Sequence, residues 1–311
     1  MNFLLILSGF ILLIFGGNWL LKSAVSISLR LQIPKIIIGM TVVSFATSAP
    51  ELIVSVKAAL NGSPDLALGN VVGSNIANLA LVLGITLLIA KIDVQKSFHT
   101  INWPVMMIAS LLLYFFLLND YLISTIEGIF LVSFLVIFLI YLLKLQKQVV
   151  EQDMSEDIVS LSKPKTIAFL FIGSIGLWGG SELLINGATN MALDFGVSER
   201  LIGITVVSIG TSIPELATSM IAIYNKEKGI SLGNLLGSNI FNVFAVLGIT
   251  SIVSPLVVSD MNIINFDIYV MLFFSAIIFP LIFFPKKYLL GRTKGFIILS
   301  FYSVYIYNIF I

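Results

Sequence analysis

Cysteine is absent from the 311 residues. That excludes disulfides and thiolate metal centres and leaves the redox compartment unread. Histidine occurs once, as His99, too little by itself for a zinc site. Charge is scarce as well: 11% of the residues are Asp, Glu, Lys or Arg, against about 25% in a soluble globular domain. The net charge of +1 gives no case for nucleic acid or an acidic soluble partner. No Gly-x-x-x-x-Gly-Lys loop occurs, so nothing points to a nucleotide-binding enzyme; no catalytic residue and no cofactor is expected. Met1-Asn2-Phe3 lacks the basic region of a signal peptide, and the apolar run behind it reads as a first transmembrane helix.

What the chain has in abundance is apolar sequence. Hydrophobic residues make up 58%, and mean hydropathy is +1.08. Runs long enough to span a bilayer, roughly 20 residues each, fall at about 3–28, 36–60, 66–90, 101–118, 122–144, 166–192, 200–224, 230–253, 266–284 and 294–310. The expected fold is therefore an all-α integral membrane protein with ten transmembrane helices. A polar stretch at 145–164 divides it into halves, 1–144 and 165–311. The acids in that stretch, Glu151, Asp153, Glu156 and Asp157, lack EF-hand spacing and read as a solvated linker.

Basic residues set the expected orientation. Fourteen of the seventeen Lys and Arg fall in the connections after spans 1, 3, 5, 7 and 9, from Arg30 and Lys35 to Arg292 and Lys294. Arg200 alone lies on the other side, and Lys22 and Lys57 sit within spans near their ends. The bias puts both termini outside and the linker in the cytoplasm of a cell whose inner membrane the protein spans.

The two halves are copies. Without a gap, 39–86 aligns with 203–250 at an offset of 164, and 26 of the 48 positions are identical. The identities include polar residues, which shared apolar composition does not explain. Five spans per half is an odd number, so the repeats are inverted. Secondary transporters use this architecture, with the site near the midplane at the repeat interface.

Two stretches in each half are densest in identities: Gly39 to Glu51 repeated as Gly203 to Glu215, and Gly69 to Asn78 repeated as Gly233 to Asn242. In the first, Ser44, Thr47 or Ser48, and Glu51 are three to four residues apart and share a helix face. A carboxylate at bilayer depth marks a functional site by default. Pro50 has no N–H and frees the carbonyl of Ala46, as Pro214 frees that of Gly210. Ser44, Ala46, Ser208 and Gly210 are thus candidate carbonyl donors, Thr47, Ser48, Thr211 and Ser212 candidate hydroxyl donors, and Glu51 and Glu215 the carboxylates. Hard cations such as Ca²⁺ and Na⁺ take oxygen ligands of these kinds. In the second stretch Ser74 with Asn78, and Ser238 with Asn242, each form one polar patch. Gly69 with Gly73, and Gly233 with Gly237, suit close helix approach. Spans 2, 3, 7 and 8 should form the central cluster, with the two glutamates facing across the pseudo-two-fold axis. Glu182, whose repeat partner is Asn18, reads as a carboxyl hydrogen-bonded to a neighbouring helix in preference to an accessory ligand. His99 reads as a surface residue, and Trp19, Trp103 and Trp178 as packing or interface anchors.

These motifs, Ala46-Thr47-Ser48-Ala49-Pro50-Glu51, Gly210-Thr211-Ser212-Ile213-Pro214-Glu215 and two Gly-Asn-x-x-Gly-Ser-Asn-Ile-x-Asn runs, resemble the alpha-repeats of the cation/Ca²⁺ antiporter superfamily, in particular the prokaryotic Na⁺/Ca²⁺ exchangers. The resemblance implies a diamond of cation sites. Glu51 and Glu215 would be the main Ca²⁺ ligands, with oxygens from Thr47, Ser48, Thr211 and Ser212. Ser74 and Ser238 would complete outer Na⁺ sites, Asn78 and Asn242 the middle one. Helices 1 and 6 would slide against this cluster. Many members carry an aspartate where this chain has Asn242. The implied activity is Na⁺/Ca²⁺ antiport by a monomer in the lipid bilayer. Ca²⁺/H⁺ antiport on the same scaffold and a passive cation channel are the alternatives.

Overall fold

The computed structural model describes residues 2–145, 161–195 and 210–310. Its helices are α1 (Asn2–Leu31), α2 (Lys35–Thr47), α3 (Ala49–Leu60), α4 (Pro64–Ile89), α5 (Phe98–Asp120), α6 (Thr125–Lys144), α7 (Lys163–Asp194), α8 (Ile213–Tyr224), α9 (Lys228–Val253), α10 (Ile263–Phe283) and α11 (Arg292–Phe310). Seven of them are long and apolar enough to cross a bilayer, eight if the bent pair α2 and α3 is one span. The segments α8 and α11 stand where the seventh and tenth spans are expected. Four two-residue strands, β1 (Ile92–Asp93), β2 (Leu122–Ile123), β3 (Leu256–Val257) and β4 (Leu289–Leu290), pair antiparallel as β1 with β4 and β2 with β3. The acids of the 145–164 linker, Arg200 and Ser208 lie outside the described residues.

Local chemistry accounts for the helix ends. Pro64, Pro164 and Pro214 stand in first turns, where the missing N–H would have had no partner anyway. Ser124 and Glu127 make a capping box: the Ser124 N–H donates to the Glu127 carboxylate at 2.8 Å, and the Glu127 N–H to Ser124 Oγ at 3.3 Å. The repeat persists turn by turn. After α3 the Ser63 N–H reaches the Ala58 carbonyl at 2.9 Å, and after α8 the Glu227 N–H reaches the Ala222 carbonyl at 2.7 Å. Both turns need a left-handed residue, which is Gly62 (φ 74°) in the first repeat and Lys226 (φ 62°) in the second. Lysine there carries a steric penalty that glycine avoids.

The chain divides into two compact units, one of Met1–Pro50 with Leu139–Asn234, the other of Glu51–Phe138 with Leu235–Ile311. Each unit therefore draws on both repeats. In the first, α1 and α7 run antiparallel along their length. Asn2 bonds Asp194 at one end, and Ser23 and Ser26 bond Thr166 at the other. Gly9, Gly16, Gly173, Gly180 and Gly187 lie so close to the opposite backbone that any Cβ would collide with it, the close-approach geometry of small residues in membranes. Lys35 pairs with the nearly buried Glu227 at 2.9 Å, and Arg30 bonds the Leu161 carbonyl.

In the second unit α4 packs on α11 through Gly84 and Gly295, and α6 on α9 through Gly128 and Gly248. The α5 indole of Trp103 donates to the Ser275 carbonyl of α10 at 2.7 Å. His99 is half-buried, not the surface residue its position suggested. Its ring lies against Phe283 and Tyr288, 5.7 and 5.3 Å between centroids, because the β1–β4 pairing folds the two connections together. Of the other tryptophans, Trp19 packs among Phe15 and Phe169, while Trp178 is exposed.

Candidate cation site

The break expected from Pro50 falls at Ser48, whose φ of −88° and ψ of 1° are not helical. Ser212 repeats it at −89° and 4°. A proline two residues on crowds the preceding turn and stops the ladder there. Glu51 and Glu215 follow three residues later, and both are fully buried.

In the first unit, buried oxygen atoms gather around Asn234 on α9. Thr47 Oγ1 donates to Asn234 Oδ1 at 3.1 Å, and Ser44 Oγ to the Asn234 carbonyl at 2.9 Å and to the Gly39 carbonyl at 2.8 Å. Gly233 and Gly39 make room for this, since a Cβ on either would strike the other's helix. The close approach expected at Gly233 is thus realised; for Gly69 no described residue lies within 4 Å of where a Cβ would stand, and Gly203, the repeat partner of Gly39, lies outside the described residues. Two carbonyl candidates are already engaged. The Ser44 carbonyl accepts from the Ser48 N–H at 2.8 Å, and that of Gly210 accepts from Ser181 Oγ of α7 at 2.9 Å. The hydroxyls of Ser48, Ser212, Thr218, Ser219 and Ser231 are buried without a hydrogen-bond partner among the described residues.

In the second unit four buried asparagines tie α4 to α9. Asn75 Nδ2 donates to the Asn239 carbonyl at 3.3 Å, and Asn239 Nδ2 returns to the Asn75 carbonyl at 3.2 Å. The two side-chain oxygens so exposed each take one further donor: Asn78 Nδ2 gives to Asn239 Oδ1 at 3.1 Å, and Asn242 Nδ2 to Asn75 Oδ1 at 3.0 Å. The pattern maps onto itself under the offset of 164. It fixes both outer amides the same way round. Asn78 Oδ1 and Asn242 Oδ1 are left buried with no donor among the described residues. An amide oxygen without a donor is a neutral ligand for a hard cation. A π-helical turn begins at each of these residues, Asn78–Val82 and Asn242–Leu247, the kind of irregularity that recurs at functional sites. Ser74 and Ser238 are buried one turn earlier. Asn70 holds the Glu51 helix, donating to Ser55 Oγ at 3.0 Å and to the Glu51 carbonyl at 3.4 Å.

Asn70, Asn75, Asn234 and Asn239 were not singled out from the sequence as site residues. Their repetition within the Gly-Asn-x-x-Gly-Ser-Asn run was the available signal. Among the described residues no cluster of three or more His, Cys, Asp or Glu could hold a metal. A cation here would depend on hydroxyl, amide and carbonyl oxygens beside single carboxylates. Glu182 departs from expectation: it is exposed on α7 and accepts no hydrogen bond among the described residues.

Comparison with known proteins bears on this arrangement. A family model described as sodium/calcium exchanger protein matches residues 1–144 and 165–311. CaxA of Alkalimonas amylolytica is 37% identical over 98% of this chain and 97% of its own length. Inner membrane protein YrbG of Escherichia coli K12 is 34% identical over 97% of this chain and 94% of its own. The sodium-calcium exchanger NCX_Mj, in a structure soaked without Na⁺ and Ca²⁺, superposes with a TM-score of 0.84 at 30% identity, covering 99% of this chain and 98% of that one.

Proposed function

The chain belongs to the sodium/calcium exchanger family, a family of multi-pass membrane cation/Ca²⁺ antiporters, and from that premise we propose that it exchanges Na⁺ for Ca²⁺ by alternating access. The observation that carries the reading is the doubled environment of the acids. Glu51 and Glu215 are each fully buried, each three residues beyond a non-helical serine. Each repeat also supplies an asparagine whose amide oxygen has no donor among the described residues.

On this reading Glu51 and Glu215 carry the charge of the ligand set. Thr47, Ser48, Thr211 and Ser212 add hydroxyl or carbonyl oxygens, Ser74 and Ser238 serve Na⁺, and Asn78 and Asn242 supply neutral oxygens. Two carboxylates balance one Ca²⁺ or two Na⁺. Asn242 stands where an acid would add a third charge, and its Nδ2 bond to Asn75 supports a fixed neutral donor in that place.

The ten-span, inverted-repeat arrangement is supported by contacts within each unit. Pairing of β1 with β4 joins the connections after the third and ninth spans, and pairing of β2 with β3 those after the fourth and eighth. Lys35 and Glu227 join those after the first and seventh. All three match strict alternation, with both termini outside the inner membrane by the basic-residue bias. The halves 1–144 and 165–311 are then the exchanging elements, working as a monomer.

The deciding experiment is Ca²⁺ uptake into proteoliposomes at fixed pH, with and without an outward Na⁺ gradient. Uptake above equilibrium that needs the Na⁺ gradient is the expected result. Uptake driven only by a pH gradient would make the protein a Ca²⁺/H⁺ antiporter, and downhill flux without coupling would make it a channel.

A further inference from the structure

One face of α7 changes character partway along. Phe171, Ile175 and Trp178 are exposed, by 63%, 63% and 45%, and are the side chains a lipid tail would meet. The same stripe continues through Glu182, Asn186 and Asn190, all exposed. These positions are three to four residues apart and share one face.

The depth of the change follows from the α1–α7 crossing. The contacts of Gly9 with Gly180 and of Gly16 with Gly173 exchange under the offset of 164. The pseudo-two-fold axis therefore passes midway, near residues 12–13 of α1 and 176–177 of α7, and for inverted repeats that axis lies in the membrane plane. Glu182 is five to six residues beyond it, about 8 Å at 1.5 Å per residue. That is well inside the half-thickness of about 15 Å of the hydrocarbon core. Its neighbour Ser181 bonds the Gly210 carbonyl at 2.9 Å, so Glu182 lies on the turn of α7 that meets the start of the Thr211–Glu215 segment. An exposed carboxylate at that depth is tolerated where it faces water, not lipid.

We propose that Glu182 lines a water-filled passage along α7 and steers cations into it. It is a positioning charge and not a ligand of the bound ion. The passage is electrically one-sided. The repeat partners of Glu182 and Asn186 on α1 are Asn18 and Lys22, so the equivalent stripe of the other repeat is neutral and then basic. Steering of Ca²⁺ rests on the antiport reading; exposure of Glu182 to water does not.

The test has two arms. The chain contains no cysteine, so Glu182→Cys places a single thiol in the full-length protein. A membrane-impermeant, negatively charged methanethiosulfonate added on both sides of the membrane should label it within about tenfold of the rate at Asn190→Cys and roughly a hundredfold faster than at Ile175→Cys, as expected if charged reagents reach only the water-lined positions. Labelling as slow as at Ile175→Cys overturns the passage.

In the second arm Glu182→Gln should raise the KM for Ca²⁺ by about 3- to 10-fold at about 10 mM ionic strength, with kcat unchanged, and the ratio should fall towards one at about 0.5 M choline chloride. A KM ratio indifferent to ionic strength, or a loss confined to kcat, overturns the steering role. Absence of Na⁺-dependent uptake in the unsubstituted protein would refute the antiport reading instead, and the labelling result would still decide the passage.

Discussion

Asn75→Ala is the perturbation that most directly probes the asparagine network. Asn75 is buried, donates to the Asn239 carbonyl at 3.3 Å and accepts from Asn242 Nδ2 at 3.0 Å. Truncation leaves the Asn242 donor and the Asn239 carbonyl with one partner fewer each. A buried polar group stripped of its partner costs about 1–3 kcal/mol, so the α4–α9 pairing should weaken by about 2–6 kcal/mol. The functional consequence is separable. Without Asn75 Oδ1, nothing fixes which way round the Asn242 amide sits, and its oxygen is no longer held free. If that orientation contributes about 1–1.4 kcal/mol, the apparent Ca²⁺ affinity falls roughly 5- to 10-fold. Thermal unfolding in detergent reads the first effect and Na⁺-dependent ⁴⁵Ca²⁺ uptake over a concentration series the second. The network predicts that Asn239→Ala does the same through Asn78, and that Asn75→Ala adds little once Asn242 is already alanine. Wild-type affinity in a folded Asn75→Ala protein, or full additivity with Asn242→Ala, would refute the orienting role.

Three further outcomes are expected. Glu51→Gln and Glu215→Gln keep the shape of the side chain and remove its charge; each should abolish or severely reduce Ca²⁺ transport while the protein elutes and melts as a folded species, and near-normal transport in either sinks the assignment. Glu227→Gln should lower stability by about 0.5–1 kcal/mol, since Glu227 is nearly buried but the Lys35 side chain left without its partner is 32% exposed and stays partly solvated; a Lys35→Met, Glu227→Gln double variant should recover part of the loss. Lys226→Gly should raise stability by about 0.5–1 kcal/mol, the left-handed penalty partly offset by the freer unfolded chain, and a lowered melting temperature would show that the φ of 62° carries no strain.

Much of the site was legible because its grammar is local. Proline lacks the N–H and crowds the turn before it, so a local break near Pro50 and Pro214 is readable from the sequence and is found at Ser48 and Ser212, although Pro280 sits inside α10 without ending it. A glutamate three residues later is necessarily near that break. The asparagines at 70, 75, 234 and 239 are different. Their residue type repeats, but an amide has two ends, and which end faces a neighbour is set by another helix, 15–19 residues away for Asn70 and more than 150 away for the other three.

Glu182 was misread for a related reason. A lone acid in an apolar helix suggests a buried hydrogen bond, since sequence carries no record of which face is covered. Packing of α7 against α1 through glycines turns one face inward and leaves the stripe through Glu182 outside.

The sequence by itself determined the membrane setting, the doubled architecture and the two acids, because hydropathy, internal identity and charge are properties of the chain alone. Tertiary structure alone decided the direction of the Asn78 and Asn242 oxygens, the occupation of the Gly210 carbonyl by Ser181, and the exposure of Glu182. Each of these depends on a donor, acceptor or covering surface supplied by a segment distant in the chain, and such partners exist only once the helices have packed.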